Sequence, residues 1–416
     1  MRIDRLGELD SFPVVLRSIA AATTRLGLAP PAALSGDWFG SCAVIAPTLR
    51  AEPVAPDDVF DTATGSGGET VGGGWIGYLS YPDLAADGAA PRIPAAAGGW
   101  TDCVLRRDRA GVWWFEDLTG APMPDWLRTC LANSAPPGPW QIDWAAPDRA
   151  AHETAVLACL EAIAAGEVYQ ACVCTQFTGR ITGEPLDFFA DAVAHTAPAR
   201  AAFLSGPWGA VASLSPEVFL RRCADTVTSS PIKGTLPLHA DPALLRASVK
   251  DVAENVMIVD LVRNDLGRVA VTGTVAVPEL LAVQPAPGVW HLVSTVTAQI
   301  PAGLPMRELL AATFPPASVT GTPKHRARQL LSHWETSGRG VYCGSVGLAS
   351  PVAGTECNVA IRTVEFDTAG RAVLGVGGGI TADSDPAEEW AECLHKAAPT
   401  VGLDLRGQSR DLSTAS

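Results

Sequence analysis

Short apolar runs punctuated by Gly and Pro dominate the first 140 positions of the chain. The runs 42–46 and 74–79 lie between turn-forming residues, which predicts strands of a sheet. The stretch 133–139, rich in Pro and small polar residues, reads as a linker or long loop. From Ala150 the texture changes. Apolar positions over 152–166 recur at helical spacing, and 168–177 reads as a strand. Beyond them, helical and strand-like runs alternate. Residues 241–266 predict one long or broken helix with Pro242 in its first turn, and 306–312 and 324–336 predict two more. Residues 226–229, 340–348, 357–366 and 372–376 predict strands. Asp385-Pro386-Ala387-Glu388 opens a last helix, with Asp385 as N-cap and Pro386 at the first position. No internal repeat interrupts this order. The mixture predicts an α+β sandwich of mostly antiparallel sheets with helices packed outside. It divides into a sheet-rich region 1–140, a second region 150–405 and a flexible tail 406–416.

Composition narrows the class. With 47% hydrophobic and 18% charged residues in 416, the chain can bury a sizeable core, which excludes a disordered protein. The net charge of −14 disfavours nucleic-acid binding by the bulk surface, because phosphates would be repelled. A small anion would have to be held locally by a few cations, backbone amides or a metal. The ten cysteines are scattered; only Cys172 and Cys174 are close, and no zinc-binding pattern is completed. Residues 1–15 are interrupted by charges, and no run of about 20 apolar residues occurs, so neither a signal peptide nor a membrane span is expected. The expectation is a cytoplasmic protein with reduced thiols.

Several side chains carry candidate chemistry. Asp251 and Glu254 share one helix face; on the last predicted helix Glu388, Glu392 and Lys396 follow at i+4 steps. Carboxylates brought together from two helices suit Mg²⁺, which prefers oxygen ligands. The same spacing also fits two solvated helix faces. Gly377-Gly378-Gly379 follows a strand and precedes the Asp385 cap, so its amides could approach an anion, although a plain turn fits as well. Lys233, between Pro231-Ile232 and Gly234-Thr235, is a nucleophile or base if desolvated, and otherwise a loop lysine. Glu217, in Ser215-Pro216-Glu217, would be a general acid if its pKa is raised. Arg362 alternates with apolar residues on a predicted strand and needs a partner there, for which a substrate carboxylate is a candidate.

Taken in order, these segments form a recognisable set. They are Gly166-Glu167-Val168-Tyr169-Gln170, Ser215-Pro216-Glu217, Pro231 to Thr235, Lys250-Asp251-Val252-Ala253-Glu254-Asn255, and Ile258 to Arg268 with its Arg263-Asn264-Asp265-Leu266-Gly267 core. His291-Leu292-Val293-Ser294, Thr320-Gly321-Thr322-Pro323-Lys324, Gly340-Val341-Tyr342-Cys343-Gly344, Ile361-Arg362-Thr363 and Gly377 to Pro386 complete it, leading to Glu392 and Lys396. Over roughly 150–400 the chain resembles the chorismate-utilising enzymes: anthranilate, aminodeoxychorismate, isochorismate and salicylate synthases. The resemblance implies the two-layer-sheet sandwich of the anthranilate synthase component I type. It implies Mg²⁺ on Glu254 and Glu392, bridging to the ring carboxylate of chorismate. Gly377, Gly378, Gly379 and Lys396 would hold that carboxylate, Tyr342 and Arg362 the enolpyruvyl carboxylate, and His291 and Thr235 would lie near the ring.

Two positions discriminate within the family. Gln170 stands where the hydrolytic members carry a water-activating lysine, and Lys233 stands where anthranilate synthases usually carry alanine. The lysine form resembles the aminodeoxychorismate branch. There the amine is thought to add to C2 while the counterpart of Glu217 protonates the C4 hydroxyl. Ammonia then adds at C4 and expels the lysine. The resemblance further implies a separate glutamine amidotransferase partner, because no Gly-x-Cys-x-Gly nucleophile turn occurs in the chain. C2 amination is the runner-up. A non-catalytic homologue would be expected to lack Glu254, Glu392, Arg362 or Lys396, all of which are present. Cys172, Leu236, Leu238, Pro316 and His395 depart from the family's usual pattern.

Overall fold

The computed structural model describes residues 1–62, 65–83, 91–286 and 289–403; the expected tail 406–416 lies outside them. The short apolar runs of the N-terminal part become strands because each is buried on both faces. Along Ala32–Trp38 and Ser41–Ala46, Leu34 and Val44 join one apolar cluster while their neighbours Ala33, Ala43 and Ile45 join another. Alternation of side chains along a strand sends successive residues to opposite faces. A continuous apolar run is therefore the signature of a strand covered on both sides.

Two antiparallel sheets result. The first has twelve strands. It runs from Arg2–Gly7 at one edge through Ala32–Trp38, Arg200–Gly206, Gly209–Ser215, Thr363–Asp367 and Arg371–Ile380 to Gln170–Thr182 and Gly321–Thr322. The second has ten. It runs from Ile232–Pro237 and Val289–Gln299 through Thr226–Ser230, Val218–Cys223, Gly354–Asn358 and Ser345–Ser350 to Gly74–Leu79, Ala96–Thr101 and Glu52–Pro53. Leu34, Val44 and Val211 of the first sheet meet Ile76, Tyr78, Val346 and Leu348 of the second in one buried cluster. Helices Phe12–Leu26 and Pro185–Thr196 share a second apolar cluster with the first sheet, through Leu16, Phe189 and Phe203. Helices Val249–Gly267 and Met306–Thr313 share a third with the second sheet, through Val259, Leu309 and Val296. This is the expected α+β sandwich. Strands from both sides of the sequence boundary near 140–150 enter both sheets: Ala32–Trp38 pairs with Arg200–Gly206, and Gly74–Leu79 with Ser345–Ser350. No described helix is long and apolar enough to cross a membrane.

Three local expectations are corrected. The strand expected over 340–348 starts only at Ser345, because Gly340 and Cys343, at φ 62° and 65°, form a turn that an extended strand cannot contain. The strand expected over 357–366 breaks after Asn358 and resumes at Thr363, and Arg362 sits in the break at φ 50°. Gly377, Gly378 and Gly379 are not a turn; they continue the strand Arg371–Ile380 opposite Cys174, Val173 and Cys172. The segment 241–266 is a broken helix. Ala243–Ala247 ends at Ser248, whose hydroxyl accepts from Asp251 N at 3.2 Å and caps Val249–Gly267.

The same strand shows how tightly the interior is filled. A Cβ added at Gly375 would lie 2.2 Å from the Tyr342 ring, which is buried and cannot swing away. Gly375→Ala is expected to destabilise the protein by roughly 1–3 kcal/mol. Gly267→Ala, at a helix end with nothing within 4 Å of the added carbon, is expected to be neutral or stabilising by up to about 1 kcal/mol. Urea unfolding of the two variants measures the contrast, and equal effects would contradict it.

Candidate active site

The chemistry-bearing side chains converge where the glycine strand of the first sheet approaches the outer strand of the second. On helix Val249–Gly267, Lys250 and Glu254 lie one turn apart. On helix Pro386–Val401, Glu389, Glu392 and Lys396 follow at i+3 and i+4. Each carboxylate meets an ammonium: Glu254 and Lys233 at 3.7 Å, Glu389 and Lys250 at 3.4 Å, Glu392 and Lys396 at 2.7 Å. Burial pushes the Glu254 carboxyl up, against the pull of Lys233 and Lys250. Burial also raises Glu392, but Lys396 reverses the balance and holds it below the usual range.

Glu389, rather than the expected Glu388, faces this cluster. Glu388 is exposed, whereas Glu389 is buried, accepts from the Ser384 hydroxyl at 2.7 Å and lies against Gly378. The apolar positions Trp390, Cys393 and Ala397 mark the buried face of that helix, and Glu389 sits on it. That periodicity was the available signal.

The glycines make room for this arrangement. Side chains at Gly378 and Gly379 would collide with Glu389 Oε2 at 2.6 Å and with Gln170 Nε2 at 2.1 Å; Lys233 Nζ would be 3.6 Å from the Gly379 Cβ. Thr363–Asp367 pairs with this strand only as far as Leu374. Beyond it, ladder pairing at 377–379 comes from Gln170–Thr182 alone. Lys396 Nζ donates to the Gly377 carbonyl at 2.8 Å, which fixes the ammonium at the strand.

Lys233 and Glu217 both contact Ser318 and lie within electrostatic reach of one another. Glu217 lies between Gly209–Ser215 and Val218–Cys223, where the chain passes from the first sheet to the second. Its amide donates to Ser215 Oγ at 3.1 Å, which fixes the turn. Burial pushes its carboxyl up to about 7, although the Ser318 hydroxyl and the Lys233 and Lys396 ammoniums pull the other way. Lys233 stands on strand Ile232–Pro237 beside a bulge at Gly234, whose φ is 75°. Its Nζ is 3.4 Å from the Ser318 carbonyl. Ser318 thus touches both groups; sequence reasoning did not assign it a role.

His291 pairs in register with Thr235, and Thr235 Oγ1 lies 3.0 Å from His291 Nδ1. Burial, then the nearby Arg362 cation, lower the His291 pKa and favour a neutral ring. The Arg362 guanidinium has no hydrogen-bond or ion-pair partner among the described residues, and burial lowers its pKa. A buried guanidinium of this kind can pair with an anion. Tyr342 makes no hydrogen bond to Arg362. It lies buried in the turn 340–344, its hydroxyl 3.9 Å from Cys174 Sγ and its ring over Gly375. Among the described residues, no three His, Cys, Asp or Glu side chains form a ready-made metal cage. The donors that do face the cleft are carboxylate oxygens, a set that fits a hard divalent cation.

Known proteins share this architecture. The chain is 44% identical over 238 residues to aminodeoxychorismate synthase component 1 of Klebsiella aerogenes, covering 56% of this chain and 52% of that protein. It is 41% identical over 243 residues to the protein of the same name from Escherichia coli K12, covering 57% and 53%. The chain spans about half the length of these relatives. The solved structure of anthranilate synthase component I from Streptococcus pneumoniae TIGR4 superposes with a TM-score of 0.69 at 26% identity, covering 83% of this chain and 84% of that one. Residues 61–402 match the family described as chorismate binding enzyme, and with most of the chain inside that match the protein belongs to this family.

Proposed function

We propose that this protein is the chorismate-aminating component of an aminodeoxychorismate synthase, converting chorismate and ammonia to 4-amino-4-deoxychorismate. The observation that carries the reading is that Lys233, an amine on a bulged strand, and Glu217, a buried carboxyl pushed up to about 7, share the neighbour Ser318 and lie within electrostatic reach of one another. The identity to relatives named aminodeoxychorismate synthase component 1 supports it.

In this reading the Arg362 guanidinium binds the enolpyruvyl carboxylate. Lys396 and the Gly377–Gly379 backbone hold the ring carboxylate. Glu254 and Glu392, with Glu389 close by, would hold Mg²⁺, which would supply charge neutralisation for that carboxylate. The Lys233 amine adds to C2 as the protonated Glu217 delivers its proton to the departing C4 hydroxyl. Ammonia then adds at C4 and the C2–N bond to Lys233 breaks. Covalent capture divides one difficult displacement into two easier ones. His291, kept neutral, flanks the ring, and Thr235 orients it. Gln170 in place of a basic residue leaves no side chain there to activate water. Ammonia comes from a glutamine amidotransferase partner, and the product serves 4-aminobenzoate for folate or a specialised metabolite. Ten free thiols and a charge of −14 suit the cytoplasm and a small-molecule role.

Mass spectrometry after incubation with chorismate, Mg²⁺ and ammonium is expected to detect 4-amino-4-deoxychorismate. Anthranilate formed without an added lyase would instead assign C2 amination. Lys233→Ala is expected to lose product formation, and full retention would remove its covalent role.

The pH dependence follows from Glu217. A general acid works protonated, so kcat/KM should fall as pH rises through about 7. Glu217→Gln should lose about 10²–10⁴ in rate and abolish that limb. Its stability effect has the opposite sense. The folded carboxyl holds its proton to a higher pH than the unfolded one, so the group's contribution to stability declines between the unfolded value and about 7. Glu217→Gln should therefore gain more stability at pH 8 than at pH 5 by urea unfolding; an equal shift at both would refute the raised pKa.

A further inference from the structure

The sequence motif that carries Glu254 begins with Lys250, which the proposed chemistry leaves without a task. Lys250 precedes Glu254 by one helical turn. Its Nζ lies 3.4 Å from Glu389 Oε1, and it is within electrostatic reach of Glu254 and Glu392. The three ammonium groups of the cluster are not equivalent. Lys396 is fixed by two short contacts, to Glu392 at 2.7 Å and to the Gly377 carbonyl at 2.8 Å. Lys233 is enclosed, with 14% of its side chain exposed, and also donates to Ser318 O. Lys250 has one long contact and 47% of its side chain in solvent. Its flexible stem can withdraw the charge into water, where the ammonium is well solvated, while Glu389 keeps the Ser384 hydroxyl as partner.

We propose that Lys250 is the displaceable counter-ion of the carboxylate site: its ammonium neutralises Glu389 and its neighbours in the metal-free protein and swings out when Mg²⁺ binds. The inference rests on the metal reading of the site made above. Glu389 and its neighbours are half-buried carboxylates that repel one another, so without a bound cation they need a positive charge nearby. A tethered ammonium supplies it and competes with the metal. The competition keeps Mg²⁺ affinity low until an anionic substrate adds negative charge and tips the balance toward the divalent ion. Metal and substrate would then load together.

Calorimetric titration of the full chain with Mg²⁺, without chorismate, tests this. Lys250→Met and Lys250→Gln remove the competing charge and are expected to bind Mg²⁺ about tenfold more tightly than the original chain, the scale of a charge–dication repulsion at partly exposed range. Lys250→Arg, which keeps the charge, should stay close to the original. Added Mg²⁺ should raise the melting temperature most for the Met and Gln variants, a readout independent of turnover. Equal or weaker Mg²⁺ binding by both neutral variants overturns the inference while leaving the metal site standing. If neither the original chain nor any variant binds Mg²⁺, even with chorismate present, the metal reading falls and this inference with it.

Discussion

Charge balance in a cleft that water only partly reaches governs this site. Glu254, Glu389 and Glu392 come from two helices on different parts of the fold, and Lys233, Lys250 and Lys396 meet them at 2.7–3.7 Å. Removing one partner would strand a charge where solvation is poor, which costs far more than an exposed ion pair contributes. The backbone is shaped around that requirement. Three consecutive glycines let a strand run beside the carboxylates without side chains of its own. A bulge at Gly234 releases Lys233 from the regular pleat.

Two further groups are set by burial rather than by pairing. Glu217 sits where the chain crosses from one sheet to the other, and that enclosure keeps its proton near neutral pH. Arg362 sits in a strand break at φ 50° with its guanidinium unpartnered among the described residues. Burial thus acts on the two groups in opposite chemical senses, favouring the neutral form of the carboxyl and working against the charge of the guanidinium. The sandwich holds both elements rigidly, because each sheet is covered on both faces.

Much of this was legible in the sequence. Apolar runs in the first 140 residues gave two-faced strands, the Asp385 cap was correct to the residue, and the motif order pointed to Lys233, Glu217, Glu254, Glu392, Lys396 and Arg362. The errors share one cause. Gly377–Gly379 reads as a turn and 357–366 as a continuous strand only if local preference decides. In the fold, pairing with Cys172–Cys174 straightens the glycines, while the left-handed Arg362 breaks the other strand. Glu388 and Glu389 are neighbours of the same type, and Glu389 is the one that shares the buried helix face marked by Trp390, Cys393 and Ala397, a periodicity that the i+4 spacing of Glu388 and Glu392 obscures.

The sequence by itself determined which residue types are available and in what order: amines, carboxylates, an arginine and glycines spaced on elements that helical and strand periodicity define. The tertiary structure alone decided which of them meet, because Lys233 and Glu254, or Ser318 and Lys233, are brought together by sheet pairing and helix packing rather than by local spacing. It also decided their protonation. Desolvation depends on everything packed around a group, and no reading of the chain around Glu217 alone contains the burial that holds its proton.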